Sequence, residues 1–260
     1  MVFAAASVRD AIQEASALYE RQSGVTPRYN FAGSNELARQ VLAAPKADVF
    51  LSANEKWMDE VENGGRLSPG TRSTLLSNRL VVIARTDGPH RVGGADDLAT
   101  VAYRHLVLAN PDAVPAGIYA REWLQSRPGP GGGTLWEAVK SKVAPTLDVR
   151  AALAMVETDP ELIGIVYRTD AASSDRVQVL YEVPAAGGPQ IRYAVGAVAG
   201  GPDPAAGLGF VEFLEGPEAA AVFERHGFVV GTGEEAPDGG GGETPAGGDT
   251  ETPADAGGAP

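Results

Sequence analysis

Val2-Phe3-Ala4-Ala5-Ala6-Ser7 opens the chain as one short apolar run closed by a hydroxyl, and a helical pattern follows at once. Apolar residues recur at Val8, Ile12, Ala15 and Leu18, the spacing of one helix face over 8–23, and Gly24 with Pro27 marks the end. Ser7 with Asp10 three positions on reads as an N-cap and its answering carboxylate. A buried strand running into a helix start aims unpaired backbone N–H groups at one spot. Such a spot draws an anion without any cationic side chain.

Outward from this stretch the same unit returns twice. Tyr29 and Phe31 mark a second strand that ends at Gly33-Ser34, with a helix over 35–42 stopped by Pro45. ADVFLSA (47–53) is a third strand, followed by a helix over 54–63 and Gly64-Gly65. Strand and helix in strict alternation imply a parallel sheet with right-handed crossovers. Further strands are expected at 80–84, 105–109, 146–149 (a short strand or extended segment), 162–167, 177–181 and 192–198, with 228–230 the last ordered piece. Helices are expected at 95–99, 117–126, 134–141, 150–158, 204–215 and 217–225, with a short one after a turn at 168–170. The helix at 150–158 should bury Ala152, Met155 and Val156, and RPGPGGG (127–133) should form a flexible surface loop. From Gly231 the composition turns to Gly, Pro, Glu, Asp, Thr and Ala, which cannot bury a core, so 231–260 is expected to be a disordered acidic tail.

The chain of 260 residues has no cysteine, which excludes a disulfide framework, a thiolate metal site and a cysteine nucleophile. Its net charge is −13, of which −7 lies in residues 231–260; residues 1–230 carry 27 acidic against 21 basic side chains. An acidic body lacks the basic footprint of a nucleic-acid binder, and any anion site must work through local dipoles. No run approaches the ~20 apolar residues of a membrane span. Residues 1–6 lack the basic n-region and apolar h-region of a signal peptide. The sequence is therefore expected to begin inside its first strand, with a leader or an upstream start missing.

In open α/β sheets ligands sit beyond the carboxyl ends of strands, near helix N-termini. Ser7 and Ser34 stand there, each with a hydroxyl and an N–H. Ala116 stands in the turn Val-Pro-Ala-Gly, Val149 just before the helix at 150–158, and Tyr167 at the end of Ile-Val-Tyr. All are neutral donors near pH 7. Taken singly, each has a commoner use: a serine as a cap, a tyrosine as a core edge, Val-Pro-Ala-Gly as a turn. The glycines at 129–133 and 187–188 lack a strand-to-helix context for phosphate binding, and His90, His105 and His226 are too scattered for a metal site or catalytic base. Asp48 begins a strand and reads as structural.

VFAAAS (2–7), FAGSNELARQ (31–40), ADVFLSA (47–53), NPDAVPAGIYA (110–120), DVRAALAMVET (148–158), GIVYRTDA (164–171) and GPEAAAVFERHGF (216–228) occur in this order. Together they resemble the molybdate-binding proteins of ATP-driven (ABC-type) importers, over nearly all of 2–230. The resemblance implies an α/β, two-lobed periplasmic-binding-protein fold of type II, each lobe a mostly parallel sheet flanked by helices, with the ligand cleft between them. Lobe one would be 1–80 plus 190–230, and lobe two 81–189. It implies that Ser7, Ser34, Ala116, Val149 and Tyr167 hold molybdate or tungstate as a bare tetrahedral dianion, the metal having no direct protein ligand. Gly33 and Asn35 flank Ser34 where family members often carry extra serines, which removes none of these donors.

The resemblance further implies a non-enzymatic subunit, a monomer without a cofactor, that hands its ligand to a permease and its ATPase. Its expected location is extracytoplasmic, as a periplasmic protein or cell-surface lipoprotein. Hydrogen bonds to a charged group are worth about 1.5–3 kcal/mol each, so some seven donors suffice for micromolar to nanomolar binding. A wall without an acceptor carboxylate should disfavour hydrogenphosphate, and sulfate must be rejected mainly by size. The alternatives are a binder of sulfate or another oxyanion, or a ligand-sensing regulatory domain on the same fold. A serine hydrolase would need a Gly-x-Ser-x-Gly elbow, which the sequence does not contain.

Overall fold

Eleven strands and ten helices make up residues 1–231, the residues that the computed structural model describes. In chain order they are β1 (Val2–Ala5), α1 (Arg9–Ser23), β2 (Tyr29–Ala32), α2 (Ser34–Ala43), β3 (Val49–Ser52), α3 (Glu55–Asn63), β4 (Ser73–Asn78) and β5 (Leu80–Arg85). There follow α4 (Asp97–Thr100), β6 (His105–Ala109), α5 (Pro115–Gln125), α6 (Leu135–Val139), β7 (Val143–Thr146), α7 (Val149–Thr158), β8 (Leu162–Tyr167), α8 (Arg168–Ala172) and β9 (Val177–Glu182). The chain then closes with β10 (Ile191–Ala197), α9 (Pro204–Leu214), α10 (Pro217–Arg225) and β11 (Val229–Val230). Most of the acidic tail expected from residue 231 lies outside the described residues.

The strands form two sheets, in the orders β11-β4-β10-β3-β1-β2 and β7-β6-β8-β5-β9. As the helical links require, β1 pairs in parallel with both β2 and β3, and β6 pairs in parallel with both β7 and β8. Successive β1 side chains face opposite ways. Val2 and Ala4 join the main core, while Phe3 packs under α2 and α3 with Leu37, Phe50 and Met58. A strand buried on both faces reads as the continuous apolar run seen at 2–6.

The sheets are mixed, which corrects the expectation of mostly parallel ones. β10 runs antiparallel to β3 and β4, β11 antiparallel to β4, and β5 antiparallel to β8 and β9. The reason is topological. β4 and β5 are one extended stretch, broken only at Arg79, that leaves one sheet and enters the other without a crossover helix to reset its direction. The strand β4 itself has no counterpart in the expected element order. Its sequence, Ser-Thr-Leu-Leu-Ser-Asn, neither alternates nor forms a long apolar run.

Other boundaries shift for local reasons. The strand expected at 146–149 ends at Thr146, because Asp148 caps α7 through its side chain and Val149 is already helical. On α7 the buried face is Val149, Ala152, Leu153 and Val156, while Met155 is exposed. The glycine-rich insert 127–133 contains one 3-10 turn and a bridge between Pro128 and Thr134. The stop of α1 matches its sequence signal: Gly24 takes the left-handed conformation at φ 72° and its N–H bonds Glu20 O. Asp48 is buried and its Oδ1 accepts the Asp203 N–H at 2.6 Å, a structural tie between β3 and the start of α9.

Candidate functional site

Where the carboxyl ends of β1, β3 and β8 meet the starts of α2, α5 and α7, thirteen residues line one small cavity. Ser7, Ser34, Ala116, Val149 and Tyr167 all line it, and each is buried. Small residues (Ala5, Ala6, Ala32, Gly33 and Ala53) supply much of the remaining wall from the first sheet. The second sheet and its helices add Val114, Pro115 and Asp148. No lysine or arginine is among them.

Three helices begin at this wall. Ser34 is the first residue of α2, Ala116 the second of α5 and Val149 the first of α7. First-turn N–H groups have no intrahelical acceptor. Among the described residues, none of the N–H groups of Ser34, Ala116 and Val149 meets a carbonyl from a turn or loop. Each helix also presents the positive end of its dipole. Pro115 sets the entry of α5, its missing N–H falling where none is needed. The loop before it is fixed by Asn110, whose O accepts the Val114 N–H at 2.9 Å and whose Oδ1 accepts the Asp112 N–H at 2.9 Å.

Two glycines permit the close approach. A Cβ on Gly117 would lie 2.0 Å from Ala109 O, so only glycine lets α5 start against the end of β6. A Cβ on Gly33 would lie 3.2 Å from Leu147 O, so a side chain ahead of Ser34 would require the facing loop to give by a few tenths of an ångström.

Ser7 corrects its sequence reading. It does not cap a helix. A 3-10 turn over Ala6–Val8 separates β1 from α1, whose N-cap is Val8 with no side-chain bond. The turn postpones the helix by one residue and leaves the Ser7 hydroxyl free to accept from Tyr193 Oη at 3.0 Å. Asp10 does not answer Ser7 either; its Oδ2 accepts from Arg150 Nη2 of α7 at 2.6 Å, across the two sheets. Trp57 of α3 makes a second such tie, its Nε1 donating to Ala113 O at 2.9 Å.

Ser34 Oγ accepts the Ala53 N–H at 3.0 Å. Both serine oxygens are therefore held by protein donors, and among the described residues neither serine donates its own proton to a protein group. Tyr167 Oη is buried and, among the described residues, has no hydrogen-bond partner of good geometry. Burial, with the neighbouring Tyr193 second, pushes its pKa well above the usual phenol value, so it remains a donor. An orphaned hydroxyl in a fully buried site is costly unless something accepts from it.

Asp148 corrects the expectation of a wall without a carboxylate. It lines the cavity, with Oδ1 committed to the Ala151 N–H at 2.9 Å as the cap of α7. Tyr193, Ala53, Pro115 and Asp148 are the residues that the strand-end argument missed. Pro115 carried a readable signal as a helix-opening proline, and Asp148 carried one as an N-cap; the other two act from a distance in sequence.

The sequence profile of the bacterial extracellular solute-binding proteins matches residues 1–229. The molybdate-binding protein ModA of Escherichia coli K12 is 38% identical over 88% of this chain and 88% of its own. ModA of Haemophilus influenzae Rd is 35% identical over 87% of this chain and 88% of its own. In three dimensions, the periplasmic molybdate-binding protein of Azotobacter vinelandii superposes with a TM-score of 0.75 at 20% identity, covering 88% of this chain and 97% of that one. The fold is the two-lobed type II architecture of periplasmic binding proteins, and these proteins bind solutes and are not enzymes. The chain belongs to the bacterial extracellular solute-binding proteins and, within them, to the family of the ModA molybdate-binding proteins.

Proposed function

We propose that the protein is the solute-binding subunit of an ABC importer for molybdate or tungstate, and that it takes the ligand as a bare dianion in the cavity between the lobes. Ser7 and Ser34 give hydroxyl and N–H donors, Ala116 and Val149 give N–H groups, and Tyr167 gives its phenol. The observation that carries this reading is that all five line one small cavity free of lysine and arginine, at three helix starts, with the Tyr167 hydroxyl lacking a partner of good geometry among the described residues. Roughly seven charge-assisted bonds at about 1.5–3 kcal/mol each total about 10–21 kcal/mol, which spans the about 8–12 kcal/mol of micromolar to nanomolar affinity and, toward its upper end, leaves a margin for desolvation and lobe closure.

An anion bonded to both lobes at once favours the closed arrangement, and a closed, loaded subunit is what the permease and its ATPase would engage outside the cytoplasm. Because every proposed donor carries a hydrogen, an oxyanion that keeps a proton of its own gains least. Asp148 is the one carboxylate in the wall, and its capping bond occupies one oxygen. Sulfate is likewise a bare dianion, and the size of the cavity is the remaining criterion against it. Titration calorimetry with molybdate, tungstate, sulfate and phosphate tests the reading. Tight binding of molybdate and tungstate with weak binding of the other two is expected, and sulfate binding as tight as molybdate would overturn it.

A further inference from the structure

Behind Ser7 runs a chain of buried polar groups whose hydrogens all point the same way. Arg79 N–H donates to Asn78 Oδ1 at 2.9 Å, which fixes the orientation of that amide. Asn78 Nδ2 then donates to Thr169 Oγ1 at 2.9 Å and to Tyr193 Oη at 3.3 Å. With its oxygen receiving from Asn78, Tyr193 directs its single proton to Ser7 Oγ at 3.0 Å. Asn78, Thr169, Tyr193 and Ser7 are all buried. Ser7 Oγ is the last member, it lines the cavity, and among the described residues its own hydrogen meets no protein acceptor.

We propose that Tyr193, held by Asn78, is a positioning residue that sets the Ser7 hydroxyl as a hydrogen-bond donor to the ligand. The inference rests on the site assignment of Ser7 given above. A serine hydroxyl can both donate and accept, and left alone it turns to whichever neighbour is nearest. Here the acceptor role is filled from behind, so rotation of the O–H toward the protein is unrewarded. Successive donors also polarise one another, which strengthens the last bond in the chain, the one made to the anion. Asn78 ends β4, one residue before the chain passes into the second sheet, and Thr169 stands two residues after Tyr167. The same amide therefore ties the end of β4 to β10 and to α8, the helix that follows Tyr167.

The test is a double-mutant cycle on molybdate affinity by titration calorimetry, with Tyr193→Phe measured in the native and in the Ser7→Ala background. Phe keeps the buried ring and removes only the donor. Tyr193→Phe should weaken binding about tenfold when Ser7 is present and less than about twofold when it is absent. Equal losses in the two backgrounds, or no loss in either, would overturn the positioning role while leaving the site assignment intact. A native affinity in Ser7→Ala alone would remove Ser7 from the site, and this role with it. Asn78→Leu, close in shape, carries the same expectation of a Ser7-dependent loss should Tyr193→Phe not fold.

Discussion

Replacing Arg150 by methionine should make the stability of this protein depend on pH in a defined direction. Arg150 Nε lies 2.7 Å from Asp170 Oδ1, Nη2 lies 2.6 Å from Asp10 Oδ2, and Nη1 donates to Ser173 Oγ at 2.8 Å. Asp170 is fully buried, and burial, outweighing the pull of Arg150, pushes its pKa up from 3.8 to about 7. The folded state thus binds more protons than the unfolded chain between those two values. Stability from this group is greatest at the acid end, falls as pH rises through the window, and levels off above it.

Without Arg150 the folded-state pKa climbs further and the fall continues to higher pH. Removing one partner of a buried pair costs about 3–5 kcal/mol while the other stays ionised. That is the loss expected near pH ~8, where folding must either bury a bare carboxylate or protonate it. Near pH ~5 Asp170 is neutral in the fold, and the loss should shrink to roughly 1 kcal/mol from the partly exposed Asp10 pair and the Ser173 bond. Urea denaturation followed by circular dichroism at both pH values measures the difference. The reasoning is refuted if Arg150→Met loses the same free energy at both, or if adding Asp170→Asn fails to recover most of the loss at the higher pH.

Tyr167→Phe should weaken molybdate binding by about 1–3 kcal/mol with little change in unfolding, since it deletes a donor that has no partner of good geometry among the described residues; calorimetry on the variant checks this, and an unchanged affinity removes Tyr167 from the site. Gly117→Ala should destabilise by at least about 1–3 kcal/mol, read by urea denaturation, and should weaken binding too, because a Cβ placed 2.0 Å from Ala109 O pushes Ala116 off the cavity. Molybdate at a hundred times its dissociation constant should stabilise the native state by about 2.7 kcal/mol, a rise in melting temperature of roughly 5–10 °C in a thermal scan, with sulfate at the same concentration giving much less.

The strands and helices that build the cavity were legible because each leaves a local mark. β1 is an unbroken apolar run, α1 keeps its helical spacing to a terminal glycine, and Val-Pro-Ala-Gly carries a helix-opening proline. Strand ends and helix starts could therefore be read as places where donors collect. What failed were inferences needing a partner far along the chain. The group that holds Ser7 is 186 residues away at Tyr193, and the carboxylate of Asp10 is taken by Arg150, 140 residues on. Seen locally, Ser7 and Asp10 looked like a capping pair. β4 escaped notice because its burial comes from neighbours β10 and β11, not from a pattern of its own. Its omission hid the stretch that turns two parallel arrangements into mixed sheets.

A cavity wall without lysine or arginine, inside a chain of net charge −13, sets the range over which capture operates. With the proposed site, the protein would repel a dianion at a distance and attract it within the first turn of three helices. Salt slows encounter with most anion receptors by screening a basic surface. Here dissolved ions would screen an opposing field, so the encounter should quicken as ionic strength rises, while the bound state, dry and short-ranged, should change little.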